Sequence, residues 1–300
     1  MSTFARCFAV LDLFTEDNMV WSVEQINDAL GYSTPTTYRY VRDLVSTGLL
    51  APFGDGTYSL GSRIVELDFL IRRADPLLDV GLPVVRGLVA RTGYDIQLIA
   101  LCGNRIVTIH QEAGSEPLPL SFGRGRAMPP LRGAGARIIS AYLPNRILKQ
   151  VYEANRDDAE KLNLGGDWKS FSRAMAGIRQ EGFAISHGEL DPGFFGLAAP
   201  VFGPDSSVIA SVVAALSHER QELAQRDKLA ALITKGAAHL TEALADLKRV
   251  ELEEHDRGDV RTPQSRRDGT AHLFPGGEPG YGPGFRPTLV QSWAKASDRS

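Results

Sequence analysis

The sequence predicts an α+β chain built from two domains. Three observations carry this. Short amphipathic helical patterns with sharp glycine stops fill the first 61 residues, an Asp75-Pro76 break follows, and beyond it apolar runs of strand length alternate with helical patterns. A length of 300 residues suits two domains, and 43% hydrophobic residues are enough for sizeable cores. The net charge of −3 does not announce a nucleic-acid partner.

In chain order, Phe4, Cys7, Phe8, Leu11 and Phe14 fall at helical spacing and predict one first helix packing under the next two. Residues 15–21 read as a loop. Ser22-Val-Glu-Gln25 reads as a capping box, with Val23, Ile26 and Leu30 on one face and Gly31 as the stop. Thr34-Pro35 starts a further helix, with Thr34 as N-cap and Pro35 at the first helical position. Val41, Leu44 and Val45 point one way along it, and Gly48 ends it. Leu49-Leu50, the turn Gly54-Asp55-Gly56 and Thr57-Tyr58-Ser59-Leu60 form a hairpin.

Helix, glycine turn, helix and hairpin is the order of a winged helix-turn-helix, whose second helix can enter a DNA major groove by its N-terminal end. Ser33, Thr34, Thr36, Thr37, Tyr38, Arg39, Tyr40 and Arg42 are the candidate DNA contacts on that helix, and Thr57 and Tyr58 those on the wing. Hydroxyls reach phosphates or base edges, and an arginine bonds two acceptors of guanine. The segment is itself acidic, with Asp12, Glu16, Asp17, Glu24, Asp28 and Asp43 outweighing Arg6, Arg39 and Arg42. That argues against strong non-specific DNA affinity and leaves open a protein-interaction module.

Ser62 can cap a linker helix over 63–73, carrying Ile64, Leu67, Phe69, Leu70 and Ile71. The stripe is broad for an exposed linker and predicts packing on its own domain together with pairing to a second copy. The second domain, 76–252, predicts a helix over 83–92, strands over 94–101 and 105–111, and a loop over 114–135 carrying Arg124, Arg126 and Arg132. Helices follow over 134–142 and 145–153, then a polar surface connection over 155–166 and a helix over 168–181. Strands over 183–186, 197–202 and 208–216 and one long helix over 223–252 complete it. Residues 253–300 read as a disordered tail, being too rich in glycine, proline and charge to bury a core.

Several chemistries find little support. Cys7 and Cys102 sit in apolar surroundings, as buried thiols of a reducing compartment do. No apolar run spans a bilayer and no signal peptide opens the chain, so the expected location is cytoplasmic, without membrane contact. His110, His187, His218 and His239 lack metal-ligand spacing, so no metal and no cofactor are expected. Cys102 with His110 as its base is the one imaginable nucleophile, but a structural thiol at a strand end is far commoner, and no catalytic residue is assigned. His110, Glu112 and Thr108 alternate on one strand and are expected to share a face.

Four motifs in order resemble the IclR family of bacterial transcription regulators over roughly residues 3–250. They are Ser33-Thr-Pro-Thr-Thr-Tyr-Arg39 with Leu44 and Gly48-Leu49, Gly56-Thr-Tyr-Ser-Leu-Gly61, Pro130-Leu-Arg-Gly-Ala134 with Ile138 to Pro144, and Glu181 to Glu189 with Gly196 to Val201. The resemblance implies a winged helix-turn-helix over 1–61, a linker helix over 62–75 and a GAF/PAS-like α+β effector-binding domain. It also implies double-stranded operator DNA, a small-molecule effector and self-association as a dimer or dimer of dimers. A lysine frequent after the pocket loop is replaced here by Ala136-Arg137.

A carboxylate effector needs donors in an apolar cavity. Gly133 and Ala134 can offer N–H groups where a helix begins, and Arg132 can add a bidentate clamp. Met128, Leu131, Phe194 and Phe195 supply apolar walls, and Glu189 and Asp191 complete the candidate set. The expected function is a ligand-responsive regulator, repressor or activator, of catabolic or transport genes, answering to a small organic or aromatic acid. The rivals are a metabolite sensor acting through protein contacts and an enzyme fused to a helix-turn-helix.

Overall fold

The computed structural model describes residues 2–223 and 225–256. The chain divides into two compact units, Met1–Ala74 and Asp75–Ser300.

The first unit holds α1 (Thr3–Phe8), a 3-10 turn (Leu11–Leu13), β1 (Trp21–Ser22), α2 (Val23–Leu30), α3 (Thr34–Ser46), β2 (Leu50–Gly54), β3 (Thr57–Leu60) and α4 (Arg63–Ala74). The capping box of α2 forms in both directions, and Gly31 ends the helix in the left-handed conformation at φ 63°. The N-cap of α3 is Ser33, not Thr34, and its hydroxyl bonds Thr36 Oγ1 at 2.9 Å. The predicted single first helix is in fact α1 followed by the 3-10 turn. Of the predicted stripe Cys7, Leu11 and Phe14 pack against the core, while Phe4 is 79% and Phe8 52% exposed; Val10, between the two pieces, is fully buried.

Val10, Val23, Ile26, Tyr40, Val41, Leu44 and Leu50 make the core of this unit. Trp21, expected in a loop, and Ser22, the N-cap of α2, pair with Tyr58 and Thr57 as an edge strand. The wing closes through Asp55 and Gly56, both at positive φ, as a two-residue hairpin turn of this twist requires. Phe53 is the extra residue of a bulge in β2 and stands exposed. Gly61 must be glycine, because a Cβ there would lie 2.0 Å from the Gly48 carbonyl oxygen. This close approach ties the end of β3 to the end of α3, with Gly61 N–H donating to Leu49 O at 2.8 Å. Helix α4 fully buries none of its residues; Ile64 is half-buried, while Leu67, Phe69, Leu70 and Ile71 of the predicted stripe are exposed, so the expected packing on its own domain is confined to the start of the helix.

The second unit holds α5 (Pro76–Thr92), β4 (Asp95–Cys102), β5 (Arg105–Glu112), β6 (Ala127–Met128), α6 (Ala134–Ala141), α7 (Asn145–Ala154), α8 (Arg156–Lys161), α9 (Trp168–Glu181), β7 (Ala184–His187), β8 (Phe194–Phe202), β9 (Val208–Ser217), α10 (His218–Leu223) and α11 (Arg226–Asp256). The strands form one antiparallel sheet in the order β6-β5-β4-β9-β8-β7. Alternate residues of β4 serve two cores: Ile96 and Leu98 pack with α5 and α11, and Ile99 and Leu101 with α6, α7 and α9. Both faces are covered, which is why β4, β8 and β9 read as apolar runs.

Several boundaries differ from expectation. Helix α5 begins at Pro76, capped by Asp75, whose carboxylate accepts from Leu77 N–H at 2.9 Å. Pro83 therefore lies inside the helix, its cost offset by burial of Leu77, Leu78, Val85 and Leu88. The expected connection over 155–166 contains α8, and the expected helix from 223 is α10 followed by α11. Strand β8 begins at Phe194, three residues before the expected start at Leu197. A bulge in β5 pairs Leu98 with His110 but Ile99 with Thr108. Thr108 thus faces α6, while His110 and Glu112 share the other face with Arg86 of α5, against the expectation of one common face. Residues 253–256 of the expected tail continue α11, and 257–300 lie outside the described residues. Among the described residues no helix is long and apolar enough to cross a membrane.

Candidate functional site

In the first unit, α3 sorts the predicted DNA contacts into two groups. Ser33, Thr34, Tyr38, Arg39 and Arg42 are exposed, and Thr36 is half-buried. Arg39 lies 5.3 Å from the ring centre of Tyr40, and Arg42 makes a loose exposed pair with Asp43 at 3.4 Å. Thr37 and Tyr40 are turned inward. Thr37 is fully buried, its hydroxyl donating to Asn27 Oδ1 and Ser33 O at 3.3 Å each. Tyr40 packs edge-on against Tyr32. They fix how α3 sits on α2 and do not reach outward, contrary to the expectation from residue type. Thr57 and Tyr58 are half-buried beside the wing's turn, Thr57 Oγ1 donating to Gly54 O at 2.6 Å.

In the second unit, α6, β4, β8, β9 and the 188–193 loop enclose a cavity of about 60 Å³. That is several times the ~10–15 Å³ a single water needs on the same measure. Of the predicted effector contacts, Met128, Gly133, Ala134, Glu189, Asp191, Phe194 and Phe195 line it. Leu131 and Arg132 do not. Leu131 is wholly inside the α6 core. Arg132 turns to Asp158, donating at 2.9 and 2.6 Å to its two carboxylate oxygens. That bidentate pairing holds the Asp158 carboxyl below its usual range and the guanidinium above.

The arginine nearest the site is Arg137, which does not line the cavity and meets it through Glu189. It is buried on α6, and its guanidinium donates to Leu131 O at 3.2 Å, Ile185 O at 2.8 Å and the Glu189 carboxylate. Glu189 also accepts from Gly133 N–H at 2.8 Å, at the head of α6. Asp191 accepts from Ser121 N–H at 3.0 Å. Gln97, Phe122, Ser186, Leu190 and Val213 are among the further lining residues and were not singled out from sequence as effector contacts. Gln97 carried a readable signal, a lone polar residue within the apolar run of β4; its amide donates to Phe122 O at 3.1 Å.

A wider apolar groove of about 590 Å³ lies between the β4–β5 turn and α7. It lacks the convergence of a helix N-terminus and a buried cation, so the smaller cavity is the better candidate for an acid. Burial first, then Asp75, hold the Cys102 thiol above its usual range, as suits a structural cysteine. Among the described residues no three His, Cys, Asp or Glu gather as a metal site.

The family model described as the IclR helix-turn-helix domain matches residues 3–52, and that of the bacterial transcriptional regulator IclR C-terminal domain matches 73–242. This chain belongs to the IclR family. Among relatives, the HTH-type transcriptional regulator KipR of Bacillus subtilis is 25% identical over 214 residues, covering 70% of this chain and 84% of KipR. The Pca operon regulatory protein of Acinetobacter baylyi is 22% identical over 225 residues, covering 69% and 76%. The IclR fold is shared with a putative IclR regulator from Silicibacter sp. TM1040, at TM-score 0.70 and 21% identity over 81% of this chain and 96% of that one. It is shared too with an IclR homolog complexed with 4-hydroxybenzoate from Microbacterium hydrocarbonoxydans, at TM-score 0.63 and 19% identity over 81% and 99%. As a member of this family the chain is a helix-turn-helix DNA-binding transcriptional regulator and not an enzyme.

Proposed function

We propose that this regulator reads double-stranded operator DNA through the outer face of α3 and answers to a small organic or aromatic acid held in the α6 cavity. Residues 1–61 act as the DNA-binding domain, 62–75 as a linker helix and 76–252 as the effector-binding domain of a cytoplasmic protein. The observation that carries the reading is a carboxylate, Glu189, at the edge of a cavity walled by Phe194, Phe195 and Met128, held there by Gly133 N–H and by the Arg137 guanidinium behind it. A helix head with a buried cation is suited to a carboxylate, and the walls are suited to a carbon skeleton. The relative named for a pca operon and the family structure solved with 4-hydroxybenzoate support the same ligand class and catabolic or transport genes as targets.

Self-association is part of the proposal. Helix α4 exposes Val65, Phe69, Leu70 and Ile71 and fully buries none of its residues, a surface suited to a second copy. Two recognition helices on adjacent half-sites, about 34 Å apart, would match a dimer.

Arg39→Ala tests the DNA surface. Operator binding in a gel shift with the intergenic DNA upstream of this gene should weaken by about 1–3 kcal/mol, with thermal stability unchanged. Unchanged operator affinity in the variant would sink this placement. Absence of any shift with the wild-type chain would favour a sensor acting through protein contacts.

A further inference from the structure

We infer that the Glu189 carboxylate is a built-in occupant of the effector's anion position, which an acid effector takes only by displacing it, freeing the 188–193 loop. The inference rests on the acid-effector reading.

One oxygen of Glu189 accepts from both Gly133 N–H, at 2.8 Å, and the Arg137 guanidinium. A bound acid would want those same two donors. Both side chains are largely shielded from water. Two carboxylates cannot share one buried anion position without strong mutual repulsion, so effector and Glu189 exclude each other there. The loop is laid directly on the head of α6: a Cβ on Gly133, itself at φ 77°, would meet Leu190 Cδ1 at 2.6 Å.

The loop is built to leave as a piece. Its neck closes through Gly188 N–H donating to Phe194 O at 2.7 Å, and glycines at positive φ stand at both ends, Gly188 and Gly193. Between them Glu189 anchors on α6 and Asp191 on Ser121, and Leu190 packs against the α6 core. Glu189, Leu190 and Asp191 all line the cavity, so releasing Glu189 opens the cavity and changes the surface above it together. An acid that binds only the opened form shifts the population toward it, as a switch requires.

The test uses the full chain and three variants of one position. Glu189→Ala should lower the melting temperature, because Arg137 stays buried without its counter-ion. Added acetate or formate should restore it saturably, more than equal chloride does and more than in wild type. Glu189→Gln, isosteric and neutral, should bind benzoate or pyruvate about 5–150-fold more tightly than wild type. Failure of carboxylates to rescue Glu189→Ala beyond chloride overturns the inference, as does acid binding by Glu189→Gln no tighter than in wild type. If neither wild type nor Glu189→Gln binds any acid, the Gln comparison falls away and rescue of Glu189→Ala supports the anion position while counting against the effector reading alone; the Gln criterion applies only where wild type or Glu189→Gln binds an acid. Acid binding by wild type without rescue counts against the inference alone.

Discussion

Arg137 holds the polar centre of the C-terminal unit by satisfying three acceptors from three segments: Leu131 O, Ile185 O and Glu189. Removing its charge leaves the largely shielded Glu189 carboxylate without its counter-ion, held by Gly133 N–H. Arg137→Met should therefore cost about 3–5 kcal/mol in denaturant unfolding, whereas Arg132→Ala should cost far less because the Arg132–Asp158 pair is part-exposed. The exchange of roles between the two arginines was not legible in the sequence. Their partners lie 26 and 52 residues away, and only the fold brings Asp158 and Glu189 into reach. Thr37 and Tyr40 mislead in a similar way, since hydroxyl-bearing residues serve a core as well as a groove when partners such as Asn27 are supplied. The Arg132–Asp158 pair also sets a pH dependence. The folded Asp158 carboxyl titrates below its unfolded value, chiefly through the hydrogen bond from Arg132. Its stabilisation is present above the ordinary carboxyl range, about pH 4, and is lost as pH falls through the lower folded value. Asp158→Asn should flatten that part of the acid limb in melting temperature against pH. Asp75 works oppositely, because burial raises its carboxyl and its ionised form costs stability.

Elements with local punctuation were legible, and those decided by long-range pairing were not. The Ser22–Gln25 box, Gly31, the 168–181 helix and the Asp55-Gly56 turn each declare themselves within four residues of their own ends. The bulge in β5 has no such signal, because it is set by how Leu98 and Ile99 meet the neighbouring strand. Helix α6 shows how closely an element can be specified by missing atoms. A Cβ on Gly135 would sit 2.5 Å from Ile99 Cδ1 and 2.7 Å from Val213 Cγ2. Gly135→Ala should push α6 off the sheet and cost about 1–3 kcal/mol, read in chemical denaturation. At the surface, Phe69→Asp together with Leu70→Asp on α4 should halve the mass measured by sedimentation while each unit keeps its fold. An unchanged mass would remove α4 from the self-association surface.

For the whole molecule, the proposed function places two chemistries on one chain: operator DNA at the exposed face of α3 and an acid in the cavity at the head of α6. Regulation requires the acid to have different affinities for at least two states of the protein, with coupling to DNA of about 5–150-fold in a typical case. The acidic balance of the first unit adds a constraint. With so few arginines facing outward, affinity must come from specific contacts, and the salt dependence should be shallow, a log–log slope of about −0.9 per phosphate contacted. The most direct measurement is fluorescence anisotropy of the full chain on its own upstream intergenic DNA, with and without a panel of small organic and aromatic acids. The account predicts specific binding that at least one acid changes at least about five-fold. Specific binding that no acid in the panel alters would contradict it.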